Sequence, residues 1–186
     1  DLVATIKKSS TLMLERIGGI LDNTRIEKGI NVDHLTAGNP YHVLIKIIEN
    51  HKILALDKGI EIENLVSEEL PNTSYDPEAL ESVFGNLISN SIKYSPRNTT
   101  IHVFHRTEKG KLTIYVKDEG LGMTEDDLKK VFGEFAKLSA RPTAGEGSSG
   151  LGLSIVKKLV EQMGGTVKAE SEGRNEGSTF SFTLKT

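Results

Sequence analysis

Apolar residues recur at two different periods along this chain, and the order of those periods restricts the fold more than any other feature. Residues 41–57 place Val43, Leu44, Ile47, Ile48 and Leu54 on one broad helical face. Residues 61–66 begin by alternating apolar and polar side chains, as a half-buried strand does. Asp76 and Pro77 read as the cap and first residue of a helix running to about Tyr94. Residues 100–107 and 111–117 alternate like paired strands about a Lys109-Gly110 turn. Thr124 caps a short helix through Val131, with acids in its first turn, where the helix dipole favours negative charge. Residues 151–163 return to helical periodicity and stop at Gly164-Gly165, and 166–171 with 178–184 close the chain as a hairpin. No strand-helix unit repeats. The expected fold is therefore α+β, a two-layer α/β sandwich whose mixed, mostly antiparallel sheet carries helices on one face.

The first 28 residues form a predicted coiled-coil-like helix preceding that sandwich. Val3, Ile6, Ser10, Met13, Ile17, Ile20 and Thr24 succeed one another in steps of three and four, a bundle seam weakened at two polar positions. Gly29 ends the helix, and residues 31–40 read as a linker with a turn at Asn39-Pro40. One helix cannot bury its own seam, so it either meets a partner helix or packs on the following domain. The chain divides into residues 1–29 and a domain of residues 30–186.

Charge and composition exclude several classes. The net charge is −3 and no basic patch stands out, so nucleic acid is not an expected partner. With no Cys, disulfide and thiolate chemistry are absent. No apolar run approaches the roughly 20 residues that span a membrane. The chain opens on Asp1 and reads as an excised fragment, so any membrane contact would come through upstream segments.

Three stations carry residues suited to chemistry. Asn86, Asn90 and Lys93 share a helical face, with Tyr94 next to them. An Asn carbonyl is a hard oxygen ligand and Lys a point charge for phosphate, although the same pattern also fits a solvated polar face. Asp118, Gly120 and Gly122 follow an apolar strand; a carboxylate there can accept from an exocyclic amine, and glycines let backbone approach a ligand, though a plain turn has the same composition. Residues 139–149 are rich in small and polar residues and read as a mobile loop, within which Gly145 and Gly147 lead through Ser148, Ser149, Gly150, Leu151 and Gly152 to Leu153 and a helix. Such a loop can expose amides to an anion, or can simply be flexible. It lacks the Gly-Lys-Ser/Thr of a Walker loop and the leading strand of a dinucleotide fingerprint.

In this order and spacing the stations resemble the histidine kinase branch of the ATPase superfamily that includes gyrase, a heat-shock chaperone and MutL. The resemblance covers nearly the whole chain. Residues 86–94 look like the asparagine box, 118–122 the first glycine box, Phe132 to Phe135 the phenylalanine box, 147–153 the second glycine box, and Gly177 to Phe180 the closing glycine-threonine-phenylalanine element. The resemblance implies the Bergerat fold and an ATP-binding kinase domain that transfers the γ-phosphoryl group to a histidine. Asn90 would hold Mg²⁺ with Asn86 close by, and Lys93 would contact phosphate, making these three the implied catalytic residues. Tyr94 would line the adenine pocket, Asp118 would receive the adenine amino group, and Gly120 and Gly122 would pass beside the base. Residues Gly147, Ser148, Ser149, Gly150, Leu151, Gly152 and Leu153 would form the phosphate loop, and Thr179 would support the adenine side. Phe132 and Phe135 read as core or lid-hinge packing.

The sequence departs from the family pattern at several positions. Ser148 stands where Gly is frequent. Ser91 stands where Ala is usual, a change expected to be harmless. Asn86 occupies the place where hydrolytic relatives carry a water-activating carboxylate, and an amide cannot act as general base. None of the five His residues (His34, His42, His51, His102 and His105) sits in the family's acceptor context, and all read as surface or structural. Residues 1–28 resemble the second helix of the dimerisation hairpin, whose first helix would bear the acceptor. The resemblance implies a response-regulator receiver domain as partner, a homodimer in the full-length protein, and a cytoplasmic location for this part.

Overall fold

The computed structural model describes residues 35–144 and 150–186, together with Ile6, Ser9, Ser10 and Met13, which are helical. The rest of the predicted first helix, with its seam, lies outside the described residues, as do His34 and residues 145–149. The elements run β1 (Thr36–Gly38), α1 (Tyr41–Leu56), β2 (Glu61–Asn64), β3 (Thr73–Tyr75), α2 (Pro77–Tyr94), β4 (Thr100–Glu108), β5 (Lys111–Asp118), α3 (Glu125–Lys130), α4 (Gly152–Gln162), β6 (Val167–Glu170) and β7 (Ser178–Lys185).

Five strands form the main sheet in the order β2-β4-β5-β7-β6. β2 runs parallel to β4 and the other pairs are antiparallel. Strand alternation then sorts the side chains. Ile101, Val103, Leu112, Ile114, Val116, Phe180, Phe182 and Leu184 are buried on one face, while His102, Phe104, Thr113, Tyr115 and Lys117 occupy the other and are not. Phe104 and Tyr115 stack across that open face at 4.7 Å. Helices cover only the buried face, as the pattern predicts. The Lys109-Gly110 turn has positive φ at both residues (50° and 72°), the conformation of a two-residue hairpin loop.

α2 is the central helix. Asp76 accepts from the Ala79 amide and Pro77 occupies the first turn, where its missing N–H costs nothing. Leu80, Val83, Phe84, Leu87 and Ile88 recur in steps of three and four and are at most 1% exposed. Phe84 meets Phe182 of β7 edge-on at 6.4 Å. Each such side chain contributes roughly 1.5–3 kcal/mol by burial. Removing the Phe84 ring would cost about 3–5 kcal/mol. The opposite face of α2 stays polar because it borders a cavity.

Two features differ from the sequence reading. Residues 36–38 are not a simple linker: they form β1, paired antiparallel with β3 in a separate two-stranded sheet. Asn39 fastens this unit, donating to Glu68 O at 2.7 Å and capping the Tyr41 amide at 2.8 Å. In the predicted loop, residues 139–144 are held by hydrogen bonds from Ser139 and Thr143.

Candidate functional site

The polar face of α2 borders a cavity of about 1030 Å³, closed by the loop after β5, the segment following α3, and the start of α4. Asn86, Asn90, Lys93 and Tyr94 line it from α2, and Asp118 and Gly122 from the end of β5 and its loop. Gly150, Gly152 and Leu153 line it from the approach to α4. The three stations predicted from sequence thus share one space. Gly147, Ser148 and Ser149 lie outside the described residues.

Asp118 is 4% exposed. Its Oδ1 accepts from the amides of Gly120 (2.9 Å) and Ser178 (3.1 Å), and its Oδ2 accepts from the Ser91 hydroxyl (3.2 Å). Burial pushes the carboxyl up to about 6, while those three hydrogen bonds favour the charged form and oppose the rise. The result is a buried acceptor at one end of an otherwise mixed polar and apolar cavity. Gly120 does not line the cavity; it packs behind, where a Cβ would come within 2.6 Å of Asp118 Oδ1 and 2.9 Å of Tyr94 O. The Leu121 amide donates to Tyr94 O at 3.1 Å, joining this loop to the end of α2.

At the other end, Asn86 Nδ2 donates to Ser82 O at 2.9 Å. Its Oδ1 lies where a Cβ on Gly152 would approach to 2.7 Å, so glycine is what admits the Asn86 side chain beside α4. No side chain caps α4 at Leu151, and its first turn carries no acid. Uncapped amides with positive dipole character suit an anion. Leu151 itself does not line the cavity but packs against the core.

Thr179 requires a correction. Register pairs it with Lys117, on the face opposite Asp118. Ser178, one residue earlier, pairs with Asp118, lines the cavity and supplies the backbone donor. Side chains alternate along a strand, so an offset of one residue exchanges the two faces.

Ser91 also differs from expectation. Ser91 is 1% exposed and its hydroxyl is bonded to Asp118, so the exchange of Ala for Ser is not idle. Within residues 139–144, the described part of the predicted loop, the segment after α3 is tethered at two points. Ser139 donates its amide (2.9 Å) and hydroxyl (2.5 Å) to the Asp127 carboxylate. Thr124 adds its own amide and hydroxyl to Asp127, completing a capping box. These four donors hold the Asp127 carboxyl well below the usual range, against the opposing effect of burial, which is individually the largest influence. Four residues on, the Thr143 amide reaches Lys93 O at 3.0 Å, and its hydroxyl lies 2.8 Å from Ser95 O. Lys58, 6% exposed, donates to Thr143 Oγ1 at 2.7 Å and to Ile92 O at 2.6 Å. A buried ammonium thus ties the segment to the carbonyl end of α2, where positive charge is favoured.

Phe132 meets Phe180 edge-on at 6.5 Å and packs on the core. Phe135 is not core: it is 67% exposed, has φ +53° and lines the cavity. Its amide donates to Gly150 O at 3.1 Å, which supports a hinge role. Sequence reasoning missed Ser91, Ser178, Lys58, and Arg141, which lines the cavity between the two tethers. Arg141, a cation beside Pro142 in the predicted loop, was the one with a local signal. Among the described His residues none lines the cavity, and His102 pairs instead with Glu63 at 2.6 Å.

The family described as histidine kinase-, DNA gyrase B-, and HSP90-like ATPase matches residues 75–186. Sensor protein GacS of Pseudomonas syringae pv. syringae is 34% identical over 100% of this chain, which covers 21% of that protein. The chain therefore spans about a fifth of this curated relative. Full-length ShkA in complex with AMPPNP superposes with a TM-score of 0.80 at 25% identity, over 100% of this chain and 38% of that one. Histidine kinase ThkA, solved with response regulator protein TrrA, shares the fold with a TM-score of 0.67 at 22% identity, over 82% of this chain and 42% of that one.

Proposed function

The chain belongs to the histidine kinase-, DNA gyrase B-, and HSP90-like ATPase family, and from that premise we propose that it is the ATP-binding catalytic part of a two-component sensor kinase. The carrying observation is the convergence of Asp118, the Asn86/Asn90/Lys93 face and the uncapped start of α4 on one cavity. Its ends differ in chemistry. Asp118 offers a buried acceptor suited to the amino group of adenine. Lys93 and the α4 amides offer positive character suited to phosphates, and Gly150, Gly152 and Leu153 line the cavity beside them. The glycines let the loops pack closely around the cavity: a Cβ on Gly122 would meet Gly173 O at 1.9 Å and one on Gly152 would meet Asn86 Oδ1 at 2.7 Å.

Among the described residues no group of three His, Cys, Asp or Glu side chains gathers to hold a metal unaided. The amide oxygen of Asn90, on the cavity wall with Asn86 close by, is a hard donor that would hold Mg²⁺. A bound magnesium ion would supply charge neutralisation during phosphoryl transfer. The protein's own part is positioning and electrostatics: Asp118 orients the base, Lys93 draws on phosphate charge, and the tethered segment covers the cavity. Gly147, Ser148 and Ser149 would complete the phosphate loop. Asn86 cannot take a proton from water, and Glu81 on the same helix is paired with Lys46 at 2.5 Å. Both features favour transfer to an acceptor that brings its own nucleophile over hydrolysis.

The full-length protein is proposed to act in the cytoplasm as a homodimer, with residues 1–29 as the second helix of its phosphoacceptor hairpin. A response-regulator receiver domain would take the phosphoryl group onward, a reading supported by ThkA's complex with TrrA. Among the described residues no helix is long and apolar enough to cross a membrane, and membrane attachment would come through other segments. The test supplies γ-labelled ATP, Mg²⁺ and a separately prepared histidine-bearing hairpin of a related kinase. Label on the histidine is expected. Rapid phosphate release with no labelled histidine would replace transfer by hydrolysis.

A further inference from the structure

The Asp118 carboxylate is held asymmetrically. Oδ1 receives two backbone amides, from Gly120 and Ser178, which fill its two acceptor positions. Oδ2 receives one donor, the Ser91 hydroxyl. One acceptor position on Oδ2 therefore remains for a ligand in the cavity that Asp118 lines. Ser91 is itself buried and does not line that cavity, so it reaches a ligand only through Asp118.

Resting on the reading that the cavity binds ATP, we infer that Ser91 is a positioning residue that sets nucleobase selection by holding Asp118 as an ionised, fixed acceptor. An ionised carboxylate can only accept, so it favours a purine bearing a 6-amino group over one bearing a 6-oxo group. A protonated Asp118 would instead present a donor and favour the oxo group. Ser91 opposes that inversion because its hydroxyl stabilises the charged form.

The surroundings support a local origin for this control. Ionisable side chains on the packed elements are Glu78, Glu81, Lys93 and Tyr94 of α2, His102, His105, Arg106 and Glu108 of β4, Lys111, Tyr115 and Lys117 of β5 with Glu119 after it, Lys185 of β7, Lys157, Lys158 and Glu161 of α4, and Lys137 and Arg141 of the tethered segment. Lys117 lies on the opposite face, and Glu119 accepts from the Thr100 amide at 3.0 Å. Burial and three hydrogen bonds account for the state of Asp118, with no charged neighbour among the causes. Of those bonds, only Ser91 supplies a side chain that can be replaced without altering the backbone.

Two readouts test this on the intact chain. ATP and inosine triphosphate are titrated at pH 6 and pH 8 into wild type, Ser91→Ala and Ser91→Cys. Carboxyl NMR follows Asp118 in the nucleotide-free chain. At pH 6 Ser91→Ala should lose about tenfold of the ATP preference, the worth of one hydrogen bond to a charged group. It should approach wild type at pH 8, and its Asp118 titration should move to higher pH. Ser91→Cys keeps the bulk with a weaker donor and should fall between. An unchanged Asp118 titration, or an unchanged ATP preference at both pH values, overturns the inference while leaving ATP binding intact. Failure of the wild type to bind ATP at all overturns the nucleotide reading, and the selection role with it.

Discussion

Replacing Asp118 by Asn should stabilise the nucleotide-free chain near neutral pH even as it disables the site. Burial raises the Asp118 carboxyl from its ordinary 3.8 to about 6. The folded chain therefore holds that proton more tightly than the unfolded chain does. The resulting stabilisation is full below the unfolded value and is lost as pH rises through about 6. The gap corresponds to about 3 kcal/mol, an upper figure because unfolded chains retain some structure. An Asn at this position carries no charge at any of these pH values. Its oxygen can still accept from Gly120 and Ser178, and its amide can donate to Ser91 Oγ, whose hydroxyl turns to accept. Every buried polar group then keeps a partner. Thermal unfolding followed by circular dichroism, without nucleotide, from pH 4.5 to 8 reads the effect. Wild type and Asp118→Asn should differ only modestly at pH 4.5, separate as pH rises towards about 6, and hold above it a constant difference of roughly 6–12 °C in favour of the variant. Asp127 contributes its own acid slope to both and cancels. A variant that melts at or below wild type at pH 7.5, or differs equally at every pH, would refute the reasoning.

The other tether and backbone contacts give further expectations. Asp127 is held ionised by Ser139 and Thr124, so its contribution is present above its unfolded value and disappears as pH falls through the lower folded one; Asp127→Asn should cost about 1–3 kcal/mol at pH 7 and flatten the acid limb of a denaturation series. Gly122→Ala should destabilise by roughly 2–4 kcal/mol in urea unfolding, because φ is +63° and the new Cβ would lie 1.9 Å from Gly173 O, a backbone atom. Lys58→Met should cost about 2–3 kcal/mol and speed proteolytic cleavage within residues 139–144, with Thr143→Val giving a smaller stability loss and similar cleavage.

What could be read from sequence was mostly local. Asp76-Pro77 marks the start of α2 because cap and first-turn chemistry are adjacent in the chain, and Lys109-Gly110 marks a hairpin for the same reason. The polar stations were legible as groups because helical spacing puts Asn86, Asn90 and Lys93 on one face. The β1–β3 pairing was hidden: two three-residue strands, 36–38 and 73–75, carry little pattern and meet across a long separation. Ser91–Asp118, Ser139–Asp127 and Lys58–Thr143 were hidden too, because each joins residues from different elements. Lys58 was unreadable for a further reason: composition places lysine outside, and its burial is made favourable by distant partners, the carbonyl end of α2 and Thr143. Thr179 was one residue from Ser178, and alternation makes that the difference between the open face and the cavity.

The central claim is that this cavity holds ATP with Asp118 at the base and Asn90 at the metal. Calorimetric titration of wild type, Asp118→Asn and Asn90→Ala with ATP, with and without Mg²⁺, tests it most directly. The account predicts saturable binding strengthened by Mg²⁺ in wild type. Asp118→Asn should weaken it about a hundredfold, the cost of opposing an amino group with a donor, and Asn90→Ala should remove the dependence on Mg²⁺. Binding of equal strength in wild type and Asp118→Asn, or no binding by wild type, would contradict it.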